Sequence, residues 1–169
     1  MVVTDVDVGL FLIRATAGVL MAAHGAQKLF GWFGGSSMAQ WTADLAKMGM
    51  RPAAAWAYIS IGAQFFGGLL LAAGLLTPFA TVSLVGPMSV VVIQKWDKGF
   101  FNVRGGYEFM LLLLVIGVAF GLSGPGAISV DAAIGFGLPL PVRAAIVILT
   151  LVGALAALLP ARSTAAAPR

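Results

Sequence analysis

The stretch His24-Gly25-Ala26-Gln27-Lys28-Leu29-Phe30-Gly31-Trp32-Phe33-Gly34-Gly35 decides the fold. A long run of apolar and small residues leads into it, and that run already contains Arg14. A helix long enough to enter a bilayer therefore carries Arg14, His24 and Lys28. Ionisable groups are costly in lipid and face a bundle interior or a wet cavity, where they mark structural or functional sites.

Composition agrees with a membrane setting. The chain is 60% hydrophobic and only 9% charged, with a mean hydropathy of +1.02, whereas soluble domains carry roughly 25% charged residues. A helix needs about 20 residues to cross the hydrocarbon layer. Four or five crossings would use most of the 169 residues, which suggests a single transmembrane domain over 1–169 with little left for a soluble catalytic domain. The fold class expected is all-α, a polytopic membrane bundle. The apolar segments run about Val8–Phe30, Ala53–Leu76, Phe79–Trp96, Gly106–Leu122 and Val142–Leu159. Thr77-Pro78 makes a tight hairpin between the second and third, with Pro78 suited to a first helical turn. Met38, Trp41, Leu45 and Met48 recur at helical spacing. They predict a short amphipathic helix over about 37–48, N-capped by Ser36 or Ser37. It either lies in the membrane interface or packs on the bundle.

The basic residues sit in short loops, which accounts for a pI near 10.0 without nucleic acid. Lys28, Lys47 and Arg51 occupy the first connection, Lys95, Lys98 and Arg104 the third, and Arg162 and Arg169 the tail. By the positive-inside rule the N-terminus is outside and the C-terminus cytoplasmic. Two Asp and no Lys or Arg in the first eight residues are the reverse of a signal-peptide n-region. The Ala/Pro-rich tail Ser163–Arg169 would ordinarily be disordered. With no cysteine, disulfides, dithiol relays, thiolate zinc and iron–sulfur ligation are excluded. One histidine excludes a bis-His haem within one chain. No intrinsic cofactor and no metal site are expected.

On a helical wheel the ionisable Arg14, His24 and Lys28 share an arc of roughly 80°, lined with Gly18, Met21 and Gly25. Depth sorts their partners. We expect an inner polar cluster of His24, Lys28, Glu108, Tyr107 and Arg104, with His24 and Glu108 meeting across the first and fourth helices. An outer cluster would join Arg14, Gln64 and Asp131. The alternatives are structural: an ion pair or snorkelling for Arg14, snorkelling for Lys28, a helix-to-helix hydrogen bond for His24. Gly117 and Gly121 suit packing within the bundle, and the four tryptophans suit an aromatic belt.

An ordered set of motifs runs from Arg14, Gly18 and His24-Gly25…Lys28-Leu29 through Gly67-Gly68-Leu69-Leu70…Gly74-Leu75-Leu76-Thr77. It continues with Gly106-Tyr107-Glu108-Phe109 and Gly124-Pro125-Gly126…Ser129-Val130-Asp131. Over roughly residues 8–135 the chain resembles the DoxX family of small bacterial membrane proteins. The resemblance implies a four-helix membrane core, to which the fifth helix is an addition that could dock a partner. Relatives include a subunit of thiosulfate:quinone oxidoreductase, and actinobacterial members are linked to membrane-associated oxidative-stress complexes. The family pattern usually places Glu where this chain has Gln64, so a carboxylate that could move a proton is replaced by a neutral amide. Two readings of function stand. One is a DoxX-like subunit of a membrane oxidoreductase system, with quinone or lipid as ligand. The other is a non-catalytic accessory subunit that stabilises a larger complex or a homo-oligomer. A carrier is disfavoured by five helices with no internal repeat.

Overall fold

The structure is a computed structural model. It describes residues 3–35 and 37–165, with side chains as far as residue 158. Ser36 and the last four residues of the tail lie outside the described residues.

Seven helices and no strand are found among the described residues: α1 Asp5–Phe30, α2 Met38–Lys47, α3 Ala53–Ala73, α4 Thr77–Gln94, α5 Glu108–Ser123, α6 Val130–Ile134 and α7 Leu140–Ala165. Helices α1, α3, α4 and the Leu140–Leu158 part of α7 are long and apolar enough to cross a membrane. Large apolar side chains face outward along them, including Val19, Phe66, Leu149 and Val152. That surface suits lipid, not water. At 16 residues, α5 is shorter than the others, yet it joins the same two ends of the bundle. It starts beside Trp96, which stacks on Tyr107 at 5.0 Å between ring centroids. It ends beside Pro125 and Ala127, which contact Arg14 and Asp7 near the start of α1.

Helix ends shift from the expected positions for local reasons. α1 starts near Asp5 because Thr4 and Asp7 form a capping box, and Asp5 and Asp7 suit the positive end of the helix dipole. α4 starts at Thr77, two residues early, because the Asp131 carboxylate accepts from the Leu76 and Thr77 N–H groups at 2.7 and 2.8 Å. Those contacts hold Leu76 in the left-handed region, at φ 49, which is uncommon for a side-chain-bearing residue. α2 is capped by Ser37, whose hydroxyl accepts from Gln40 N–H. It packs on the bundle through Leu45, which is buried with Met50 and Ala57.

The centre of the bundle is Ala17, Met21, Leu71, Ala80, Leu84 and Leu113. Glycines let the helices approach. Gly18 lies against the Ala72 and Gly68 backbone, Gly68 against Ala22, and Gly25 against Phe65. Gly117 meets Leu84 and Val85, and Gly121 meets Val147. The GxxxG pair on α5 therefore serves packing inside the chain. Two irregularities interrupt the spans. Residues Ala63–Gly67 of α3 form a π-helical turn, and Pro87 lies inside α4. π turns occur mostly as single insertions, frequently at functional sites.

Candidate functional site

Two polar nodes occupy opposite ends of the bundle. At the end where α1 begins, Arg14 is only 1% exposed. Its guanidinium donates to the Pro125 and Ile128 carbonyls at 2.9 Å each, and to the Ala72 carbonyl at 3.4 Å. Asp131, equally buried, accepts from the next turn of chain, and its own N–H donates to the Gly74 carbonyl at 2.8 Å. Gly74 has φ 67 and no room for a side chain beside Arg14. This node joins α1, the α3–α4 turn and the loop before α6. The hydrogen bonds that Arg14 and Asp131 make there all go to backbone, with Arg14 Nε unpaired among the described residues, so it is built as a structural junction.

At the other end the Lys28 ammonium donates to Gln64 Oε1 at 2.9 Å. It also lies over the Trp41 ring, 3.8 Å from the centroid, a distance at which a cation is attracted by the ring face. Trp41 Nε1–H donates to Ser60 Oγ at 3.0 Å, and Ser60 donates to the Ala57 carbonyl. Gln64 stands in the π turn, which swings its amide toward α1, and it is 4% exposed. Its NH2 group makes no hydrogen bond to the described residues. These groups form the polar end of a cavity of about 480 Å³, walled by α1, α2, α3, α4, α5 and α7. Five of the chain's seven methionines line it: Met21, Met48, Met50, Met88 and Met110. Thr150, Gly153, Ala154 and Ala157 of α7 close one wall.

Gln64 therefore does not join Arg14 at the outer end. It pairs with Lys28, because α3 runs antiparallel to α1 and brings residue 64 beside residues 25–28. His24 and Glu108 do not bond to one another. His24 Nδ1–H donates to its own helix, to the Leu20 carbonyl at 2.8 Å, and the ring is exposed at the cavity rim. Glu108 closes the loop before α5 by accepting from Asn102 N–H at 2.9 Å. A carboxylate at a helix start gains more from loop amides and the dipole than from reaching across the bundle. Tyr107 is sandwiched by aromatics, stacked on Trp96 and edge-on to Phe100. Arg104 is exposed in a short 3-10 turn. The expected inner cluster thus divides: Lys28 lies inside the cavity with Gln64 of the expected outer cluster, His24 at its rim, and Glu108, Tyr107 and Arg104 at the α4–α5 connection. Sequence reading used Trp41 and Met48 to mark the amphipathic helix and gave neither Trp41 nor the methionines a place in a site. The signal was present, since Trp41 lies on the apolar stripe of the amphipathic helix.

No curated protein and no solved structure matches the chain at a significant level. The DoxX family model matches residues 9–96, just over half of it. That segment contains α1 to α4 and hence Arg14, Lys28, Trp41, Gln64 and the π turn. With the helical membrane architecture and this match together, the chain is a multi-pass membrane protein that belongs to the DoxX family.

Proposed function

We propose that this protein is a membrane subunit of an oxidoreductase system and that its cavity receives a quinone head group. The supporting observation is the Lys28–Gln64 pair at the end of an apolar cavity of about 480 Å³. That size is within the usual range for small-molecule sites, roughly 300–1,000 Å³, and few polar groups in apolar walls are their usual make-up. Lys28 and the free Gln64 amide supply donors, which a quinone carbonyl oxygen needs. Methionine thioethers adapt to irregular shapes and favour contact with aromatic faces, which a flat ring needs. A bound quinone would supply two-electron chemistry, and the chain's own residues would hold its head group and keep water away. The electrons would reach it from a partner subunit, since without cysteine the chain offers no dithiol or iron–sulfur relay. The accessory reading draws on α7, which lies beyond the matched segment and turns Ile148, Leu149, Val152 and Leu155 outward.

Trp41 and Trp56 line the cavity, so quinone binding should quench tryptophan emission. A short-chain quinone titrated into the detergent-solubilised protein should quench saturably. Lys28→Met should weaken the affinity by about 10-fold or more, since a hydrogen bond to a charged group is worth roughly 1.5–3 kcal/mol. Linear quenching without saturation, identical in the variant, would overturn the quinone reading.

Orientation belongs to the same proposal, with the N-terminus outside and the Lys28 end cytoplasmic. Single cysteines at Thr4, Lys47, Lys98 and Ser129 test it cleanly on this cysteine-free background. An impermeant thiol reagent on intact cells should label positions 4 and 129 only. Labelling at 47 and 98 instead would invert the topology.

A further inference from the structure

Among the described residues the Lys28 ammonium has no counter-charge. The six acidic residues are all accounted for elsewhere. Asp7 accepts from Thr4 and Ala127, Asp44 faces Lys47 at 3.5 Å and Gln40 at 3.2 Å, Glu108 holds Asn102, and Asp131 holds Leu76 and Thr77. Asp5 lies at the opposite end of α1, and Asp97 is exposed in the turn after α4. Among the described residues Lys47–Asp44 is the single ion pair, and no Asp or Glu lines the cavity. The polar end of the cavity therefore presents a cation and amide donors against apolar walls. A cation in such surroundings is costly unless paired, and attraction to an anion strengthens where water is thin.

We infer that the cavity takes its ligand as an anion: a membrane-soluble amphiphile whose single negatively charged oxygen head pairs with Lys28 and accepts from the Gln64 amide, its apolar part lying among the methionines. An acidic hydroxyquinone and a long-chain carboxylate both carry this chemistry. The inference rests on the cavity being a ligand site, as the quinone proposal also requires, and it specifies the charge of the head group.

Two matched probe pairs separate the possibilities, measured calorimetrically with the full-length protein in a non-ionic detergent. One pair is 1,4-naphthoquinone against 2-hydroxy-1,4-naphthoquinone, the second of which is ionised at neutral pH. The other is dodecanol against dodecanoate. The anionic member of at least one pair should bind 10-fold or more tightly than its neutral partner. Lys28→Gln should erase that preference, and Lys28→Arg should retain it. Should Lys28→Gln fail to fold, the wild-type comparison with Lys28→Arg still decides. Equal affinity within both pairs overturns the inference, and naphthoquinone binding in that case leaves the quinone reading standing. A preference confined to dodecanoate, with neither quinone bound, supports the anion site and overturns the quinone reading. No binding by any probe overturns both.

Discussion

Replacing Arg14 with leucine is expected to destabilise the bundle by about 3–5 kcal/mol, the usual consequence of removing one partner from a buried charged network. Three carbonyls, of Ala72, Pro125 and Ile128, would lose their charged donor. Asp131 would remain buried as a carboxylate with its nearby cation gone. Unfolding in dodecyl maltoside, followed by helical circular dichroism, measures the effect. Arg14→Lys should recover only part of it, because a point ammonium cannot reproduce donation from a planar fork to separate carbonyls. Asp131→Asn should also destabilise, and the double variant with Arg14→Leu should lose less than the sum of the two, since the residues share one junction. The Lys28 end lies across the bundle, so ligand affinity of the folded Arg14→Lys protein should match wild type. A loss under 1 kcal/mol for Arg14→Leu would show that the junction is dispensable.

The fold was legible because lipid leaves few choices. Hydropathy located the spans, the Ser36-Ser37 pair and Pro78 marked helix starts to within a few residues, and Gly117 and Gly121 marked close packing within the bundle. The junction was half legible: Arg14 and Asp131 could be placed at one end by depth. The assignment of Gln64 to that end failed because α1 and α3 are offset: Gly18 packs on Ala72 and Gly25 on Phe65, so the middle of α3 lies beside residues 25–28 and not beside Arg14. The π turn then adds a rotation that regular helical counting does not contain. The pairing of His24 with Glu108 failed for a different reason. Each found a backbone partner within a few residues, and local partners cost less entropy to hold than distant ones. The cavity was illegible because no periodicity specifies an empty volume. It arises where six helices leave a gap, widened by Gly86, Pro87 and the small residues of α7.

Gly18→Ala and Gly68→Ala are each expected to cost about 3 kcal/mol, the upper part of the range for overpacking. A Cβ on Gly18 would overlap the Ala72 backbone nitrogen, and one on Gly68 the Ala22 backbone nitrogen. Backbone cannot rotate aside as a flexible side chain can, so the two helices must separate along their whole crossing. Separation would also loosen the Gly25–Phe65 contact, where a Cβ would lie 2.5 Å from the Phe65 nitrogen. It would thereby move Gln64 away from Lys28, so ligand binding should fall together with stability. Gly9 and Gly62 supply the control. Both are helical, and a Cβ on either meets nothing within 4 Å. Alanine there should be neutral or stabilising by about 0.4–1 kcal/mol through the reduced freedom of the unfolded chain. The four single variants, compared by thermal unfolding in the same detergent, should divide by contact and not by helix. Gly9 and Gly18 share α1, and Gly62 and Gly68 share α3, so helix propensity predicts the same sign within each pair. Close packing predicts opposite signs, and a uniform shift across all four would overturn the close crossing of α1 and α3.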